Sequence, residues 1–209
     1  MEYNEKQGAI LDAAENLFSR SGYEGSSVRD IAQEAGVNVA MISYYFGSKE
    51  KLMEAVFEHK SIKMRLKVEN LIQDQTTAPL QKIFYLIDEY VDKFIEQTSF
   101  HMIMMREQLT DKHTPVSDMI IDLKKKNLEL VKLLVLDGQK KGVFKKNIDV
   151  AMMMATMIGT VSQTLLSQPF YRKINGMEEY TEAEFKKHIR KKLSVHLKKL
   201  FKALLTYEI

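Results

Sequence analysis

The segment SSVRDIAQEAGVNVAMISYYFG constrains the fold of this chain most, because it holds two short helices in fixed phase around one glycine. Ser27 and Asp30 have the spacing of a capping box, which begins the first helix. Gly36 is free to adopt a positive φ, so we expect that helix to end in a tight turn. Asn38 can cap the second helix, and Gly47 ends it. The arrangement is typical of a helix–turn–helix unit.

The remaining sequence also favours helices, because the 209 residues include only three prolines and nine glycines. Apolar residues at helical spacing from Ile10 to Phe18 indicate a first helix. We expect Pro169 to close a helix and residues 171–180 to form a loop. An all-α protein of about nine helices is therefore predicted, with those after the helix–turn–helix unit covering about 48–71, 79–98, 100–110, 115–141, 149–168 and 181–205.

Several functional classes are excluded by what the sequence lacks. There is no cysteine, so neither a disulfide framework nor a thiolate site can form. The five histidines have neither HExxH nor i, i+4 spacing, and no nucleotide or hydrolase glycine motif is present. We therefore expect no enzyme, no metal and no cofactor. The acidic N-terminus and the lack of an apolar run of about 18 residues predict a cytoplasmic protein without a membrane span.

Charge is distributed unevenly along the chain. Residues 1–60 contain six basic and ten acidic side chains, whereas residues 181–209 contain eight basic and three acidic ones. Charge alone would place a polyanionic partner at the C-terminus. The basic amphipathic segment there could be a membrane-surface or calmodulin-type helix. We favour a bundle helix with solvated lysines and an apolar stripe comprising Ile189, Leu193, Leu197, Leu200 and Leu204.

The second helix of the helix–turn–helix unit has a face suited to DNA. At 100° per residue, one side of the helix carries Val39, Ile42 and Phe46. The opposite side carries Ala40, Met41 and Tyr44, with Tyr45 on the flank. Small, apolar and hydroxyl-bearing side chains can contact thymine methyls and phosphates in a major groove. The alternative is a pair of short core helices whose tyrosines are half-buried.

The segment SSVRDIAQEAGVNVAMISYYFGSKEKL resembles the N-terminal signature of the TetR family of bacterial transcriptional regulators, T-x-R-x-I-A-x-x-A-G-V-S-x-x-x-L-Y-x-H-F-x-S-K-E-x-L. The match covers about residues 7–58 and is specific because the glycine turn and the F-x-S-K-E end are fixed in phase. It implies an N-terminal three-helix head, residues 1–47. It further implies a larger C-terminal helical bundle for ligand binding and dimerisation, residues 48–209, in which residues 48–71 form the connecting helix.

The resemblance also implies roles for individual residues. Ser27 and Lys49 would hold phosphates, and Arg29 would reach a phosphate or a guanine edge. Tyr44 and Tyr45 would clamp the phosphate backbone. The base-reading end of the recognition helix would comprise Asn38, Val39, Ala40 and Met41.

Two positions depart from the family signature. Ser43 stands where the family usually has tyrosine, so one phosphate contact is expected to be lost or shorter. Tyr45 stands where the family usually has histidine, which keeps a donor but removes a group that titrates near neutral pH. The family also exposes the position of Val39. For this first-turn residue we follow the family rather than the helical wheel.

The last two long helices fit the family's two-fold, four-helix dimer interface. One of them carries small residues at helical spacing, which let another backbone approach closely: Ala151, Ala155, Gly159 and Ser162. The final helix would contribute Ile189, Leu193, Leu197 and Leu200. A homodimer would present two heads to a palindromic site.

Methionine is frequent, and its flexible thioether suits a pocket that adapts to apolar ligands. Ordinary core packing is the alternative for any single methionine. As a group with nearby aromatic residues, they predict an effector pocket formed by Phe84, Phe100, His101, Met102, Met105, Met153 and Met157.

Together these patterns predict a ligand-responsive transcriptional regulator. We expect a repressor that binds double-stranded operator DNA as a homodimer and is released by a small apolar effector. The competing hypothesis is a ligand-free protein-interaction or nucleoid-associated module that has the same DNA-binding head but a filled core.

Overall fold

A computed structural model describes residues 3–109 and 114–207, which form ten α-helices and no strand within those ranges. The predicted all-α class is therefore confirmed. The helices are α1 (Glu5–Ser21), α2 (Val28–Glu34), α3 (Val39–Phe46), α4 (Lys49–Gln73), α5 (Pro79–Glu96), α6 (Thr98–Gln108), α7 (Pro115–Lys140), α8 (Val150–Leu166), α9 (Gln168–Ile174) and α10 (Glu182–Leu205).

The predicted helix starts are confirmed by hydrogen bonds of their capping side chains. Ser27 and Asp30 form both bonds of a capping box at α2, and Thr181 does the same with Glu184 at α10. Asn38 accepts from the backbone N–H of Ala40 at 2.8 Å, which begins α3. Each bond satisfies a backbone donor that the first turn of a helix leaves without an intrahelical partner.

The prediction that Pro169 closes a helix is wrong, and of the loop predicted at residues 171–180 only the part after α9 is non-helical. Pro169 lies in the first turn of α9, where the missing N–H is not needed, so the proline begins a helix instead of closing one. The turn that follows α9 is held by Arg172, whose Nη1 donates to the carbonyl of Tyr180 at 2.5 Å. The same guanidinium pairs with Glu182 at 2.9 Å and lies 4.3 Å from the centre of the Phe185 ring.

The chain divides into two compact units. Unit 1 comprises Met1–Arg65 and Gln97–Lys125, and unit 2 comprises Leu66–Glu96 and Lys126–Ile209. Of the three boundaries, two fall inside the long helices α4 and α7 and one lies just before α6. The units therefore do not coincide with the predicted division at residue 47. The physical reason is that α6 and the start of α7 bury side chains in the same core as α1 and α4: Phe100, Ile103, Val116 and Ile120.

Unit 2 is built around α5, α8 and α10. The buried stripe of α10 consists of Phe185, Ile189, Leu193, Leu197, Phe201 and Leu205. Acidic groups of α5 pair with this helix: Arg190 Nε lies 2.7 Å from Asp92, and Lys198 pairs with Asp88. The bundle interpretation of the basic C-terminal helix is thus confirmed, except that Leu200 and Leu204 lie outside the buried stripe and are exposed.

Within the described residues no single helix is long and apolar enough to cross a membrane. Only when α8 and α9 are taken together, as a pair bent by 77°, do they reach the length and apolar composition of a membrane span. The same residues contain no cluster of three His, Asp or Glu side chains placed to hold a metal ion.

We expect Gly138→Ala to destabilise the protein, because an added Cβ would lie 2.1 Å from the ring of Phe144, which is 2% exposed. Overpacking of this kind costs about 1–3 kcal/mol of unfolding free energy. The measurement is urea unfolding followed by circular dichroism. Gly8→Ala in α1 is the matched control, because no atom lies within 4 Å of its added Cβ. An unchanged unfolding free energy for Gly138→Ala would show that the Phe144 ring can move aside.

Candidate nucleic-acid interface

The helix–turn–helix geometry of α2 and α3 is set by the turn between them. Gly36 has φ +64°, in the left-handed region that disfavours a side chain. The N–H of Val37 donates to the carbonyl of Ala32 at 3.0 Å, which completes the turn. Ile42 is 1% exposed and Phe46 is 8% exposed, so both anchor α3 in the core of unit 1.

The face of α3 opposite those anchors is open to solvent. Tyr44 is 83% exposed, Ala40 is exposed and Met41 is half-buried. Val39 is 40% exposed, so the helical wheel is wrong for this residue and the family expectation is confirmed. The reason is that a first-turn side chain projects beyond the helix that braces α3, and so its wheel angle does not bury it.

The two tyrosines occupy different environments. Tyr44 stands out from the surface, whereas Tyr45 is half-buried and contacts the Phe46 ring at 6.4 Å between centroids. The two tyrosine rings meet edge to face at 5.1 Å. Tyr45 therefore supports Tyr44 as well as offering its own hydroxyl. Ser43 is exposed beside them.

At the start of α2, Ser27 is engaged within the protein. Its hydroxyl donates to Asp30 Oδ2 at 2.6 Å and accepts from the Asp30 N–H at 3.1 Å. The N–H of Ser27 also donates to Asp30, at 3.0 Å. A phosphate contact by Ser27 would therefore require its hydroxyl proton to leave Asp30. Arg29, by contrast, is exposed.

Lys49 lies at the start of α4, where Ser48 caps the helix by accepting from the N–H of Lys51 at 3.1 Å. The Lys49 ammonium stands 4.2 Å from the centre of the Tyr23 ring. Burial, and then the negative charges of Glu50 and Glu24, raise the pKa of the Tyr23 hydroxyl, so this ring stays neutral at physiological pH. The sequence patterns did not single out Tyr23, and nothing in its spacing indicates this contact.

Three other basic side chains of unit 1 form ion pairs with carboxylates. Arg20 pairs with Glu34 at 2.6 Å, and Arg65 pairs with Glu58 at 2.9 Å. Lys60 pairs at 2.6 Å with Glu15, whose residue is only 6% exposed. These three side chains are therefore less available to phosphates than a cation without a carboxylate partner.

The predicted effector residues fall in both units. Phe100, His101, Met102 and Met105 belong to α6 of unit 1, whereas Phe84, Met153 and Met157 belong to unit 2. Phe100 is buried and meets Phe57 edge to face at 5.0 Å. Met153 and Met157 are each 1% exposed. Unit 2 also has a surface cleft of about 470 Å³, which the sequence did not indicate, lined by Leu80, Val143, Lys202, Thr206 and Tyr207.

The predicted dimer residues separate into two groups. On α8, Ala151, Ala155 and Gly159 are exposed and Ser162 is half-buried. On α10, three of the four residues lie in the core of unit 2, so they cannot face a partner: Ile189, Leu193 and Leu197. Only Leu200, at 39% exposure, remains available there. The prediction for the three buried residues is wrong because they belong to the stripe that packs within the chain.

Comparison with known proteins connects this surface to a family. Residues 10–56 match the model of "Bacterial regulatory proteins, tetR family", and residues 79–194 match "Tetracyclin repressor-like, C-terminal domain". The chain is 31% identical over 140 residues to the HTH-type transcriptional repressor NicS of Pseudomonas putida, an alignment that covers 66% of each protein.

Two solved structures share the fold. The fatty acid degradation regulator FadR of Bacillus halodurans has a TM-score of 0.70 at 22% identity, covering 93% of this chain and 97% of that one. The transcriptional regulator FadR of Bacillus subtilis, solved in complex with stearoyl-CoA, has a TM-score of 0.64 at 21% identity, covering 90% and 97%.

The capping box of α2 gives a pH-dependent prediction. Hydrogen bonds from the Ser27 hydroxyl and N–H lower the pKa of Asp30 below its ordinary value. A lowered folded-state pKa stabilises the fold above the unfolded pKa, and this contribution is lost as pH falls through the folded one. We therefore expect Asp30→Asn to destabilise at pH 7 but much less at an acidic pH below the lowered pKa of Asp30. Urea unfolding at both pH values measures this.

Glu54→Gln, at an exposed position of α4, is the control for a general loss of negative charge. If the stability gap between wild type and Asp30→Asn were the same at both pH values, the charge of Asp30 would not be what caps α2.

Proposed function

Because the chain belongs to the TetR family of bacterial transcriptional regulators, we propose that it represses transcription by binding a palindromic operator as a homodimer, and that a small apolar ligand releases it. The observation that carries this proposal is the exposed face of α3, held outward by the buried Ile42 and Phe46. The family assignment also confirms the prediction of a regulator in place of an enzyme.

The proposed DNA contacts follow from the geometry of α3. Its eight residues span about 12 Å, so its N-terminal end can enter a major groove. There Asn38, Val39, Ala40 and Met41 would face base edges, with the apolar members against thymine methyls. Tyr44 and Tyr45 would reach phosphate, and Arg29 and Lys49 would add positive charge on either side of α3. The main role of Ser27 would be to cap the N-terminus of α2.

A homodimer is supported by the surface of α8. Gly159 lies in the middle of this helix, where glycine costs about 1 kcal/mol relative to alanine. No atom of the described chain lies within 4 Å of the Cβ that alanine would add, so nothing within the chain requires a glycine there. The neighbouring Ala151 and Ala155 are small and exposed, whereas Met152 and Leu166 add exposed apolar area. A close helix of a second copy would use all of these residues.

An apolar effector is supported by the composition of the C-terminal domain and by its relatives. Met153 and Met157 are buried on α8, and Phe84 adds a half-buried aromatic ring on α5 of the same unit. Flexible methionines can move to admit an apolar chain. One protein of the same fold, FadR of Bacillus subtilis, was solved with stearoyl-CoA. We therefore propose a ligand with a long apolar chain, whose binding changes the spacing of the two heads through α4, the connecting helix.

The alternative is a ligand-free DNA-binding module, in which the same buried methionines only fill a core. The sequence contains no tryptophan, so tryptophan fluorescence cannot report ligand binding. Calorimetry with fatty acids and acyl thioesters distinguishes the two hypotheses. Heat of binding together with release of DNA supports a ligand-responsive repressor, and neither effect supports the alternative.

Selection of bound sites from random DNA tests operator recognition. We expect a palindrome for the wild type, because a two-fold dimer reads two half-sites. Met41→Ala should relax the preference at one position of each half-site, by about 1 kcal/mol. Lys49→Gln should weaken all sequences nearly equally, because phosphate contacts carry no sequence information. Recovery of no palindrome, or a changed preference with Lys49→Gln, would contradict these roles.

Replacement of Gly159 tests the dimer. Gly159→Leu should weaken dimerisation at least about tenfold while leaving helix content unchanged, because the site is open within the chain but blocked to a close partner. Sedimentation velocity at several concentrations measures the change. Gly8→Leu on α1 is the matched control, since its site is also open. A Gly159→Leu protein that sediments as the wild type would remove α8 from the interface.

A further inference from the structure

We propose that Tyr23 is a positioning residue for DNA binding, which holds the ammonium of Lys49 on its ring face and leaves the N–H donors of that ammonium for a backbone phosphate. The proposal rests on the phosphate contact proposed above for Lys49. It adds a residue from the turn between α1 and α2 to the DNA-binding machinery. The decisive observation is the 4.2 Å separation between Lys49 Nζ and the centre of the Tyr23 ring.

The ring of Tyr23 is fixed from the side opposite the surface. Its centroid lies 5.7 Å from that of Phe18, which is fully buried in the core of unit 1. The turn that carries Tyr23 has little freedom as well. Gly22 has φ +77°, and a Cβ on Gly25 would lie 2.4 Å from the carbonyl oxygen of Ser21. The core therefore determines where the ring stands.

The turn is closed by two hydrogen bonds of Ser26, a residue that is 3% exposed. Its hydroxyl donates to the carbonyl of Gly22 at 2.8 Å, and its N–H donates to the carbonyl of Tyr23 at 3.3 Å. A lysine side chain alone has four rotatable bonds and considerable entropy to lose when it meets a phosphate. A ring held in this way reduces that loss before DNA arrives.

A ring differs from a carboxylate as a partner for a cation. A carboxylate accepts N–H bonds and cancels the charge, as Glu34 does for Arg20 and Glu15 does for Lys60. The face of a neutral ring attracts the ammonium through its quadrupole, yet leaves its full charge and most of its donors in place. Of the described residues, no carboxylate lies within ion-pair distance of Lys49. In a head with net negative charge, this difference decides which cations remain effective toward DNA.

The test uses the full-length protein and a duplex of about 30 base pairs of arbitrary sequence at low salt, because phosphate contacts do not depend on sequence. Tyr23→Phe should bind within about twofold of wild type, since the ring face is kept. Tyr23→Leu should weaken binding by about two- to fivefold for each head. In a Lys49→Gln background the same Tyr23→Leu change should have no further effect, because the ammonium is already gone.

A second series separates positioning from packing in case Tyr23→Leu also perturbs the fold. Phenylalanine with one, two and three fluorines at position 23 keeps the ring's shape but progressively weakens its quadrupole. DNA affinity should fall stepwise along the series in the Lys49 protein and stay flat in Lys49→Gln. Thermal unfolding of each variant confirms that the fold is kept.

The outcomes are distinguishable. Stepwise loss that depends on Lys49 supports the proposal. A flat fluorine series alongside a clear loss for Lys49→Gln overturns the role of Tyr23 but keeps the phosphate contact. No loss for Lys49→Gln removes the phosphate contact, and the positioning role with it. Tighter binding by Tyr23→Leu would mean that the ring sequesters Lys49, which also overturns the proposal.

Discussion

The burial of Ile42 and Phe46 against the core of unit 1 is the contact on which the interface depends. With these two side chains fixed, the 100° step of the helix sets the direction of the later residues of α3, although not that of Val39 in the first turn. Tyr44 must point outward, Tyr45 must lie on the flank, and the first turn must project past α2. The outward face of α3, on which the proposed DNA contacts lie, thus follows from two buried anchors.

The same core also governs electrostatics. The head has more acidic than basic residues, and a net charge of this sign opposes approach to a polyanion. The distribution of the basic side chains, rather than their number, addresses this difficulty. Arg20 and Lys60 form ion pairs within unit 1. Arg29, by contrast, is exposed, and the Lys49 ammonium lies over the neutral ring of Tyr23. A few cations with their charge intact, placed beside α3, matter more than the total.

What could be predicted from the sequence was local. The caps of α2 and α3 depend on side chains three residues or fewer from the donors they satisfy, so spacing alone identified them. Features that depend on distant packing were missed. The joint core of α1, α4 and α6 combines segments far apart in sequence, and the contact between Tyr23 and Lys49 joins a turn to a helix 26 positions later. The prediction for Pro169 was wrong for another reason, because proline is common both just after a helix and in the first turn of the next one.

In the last two long helices, helical spacing in the sequence does not by itself distinguish the face that packs within the chain from the face open to solvent. On α10 the residues at i, i+4 spacing, from Phe185 through Leu205, pack against α5 and α8. On α8 the bulky residues Met153 and Met157 are buried in the same way, and this turns Ala155 and Gly159 outward. The outward face of α8, with small residues beside the exposed Met152 and Leu166, suits the close helix of the second copy proposed above. The placement of a glycine at its centre, where the chain itself makes no use of one, is the strongest argument for that neighbour.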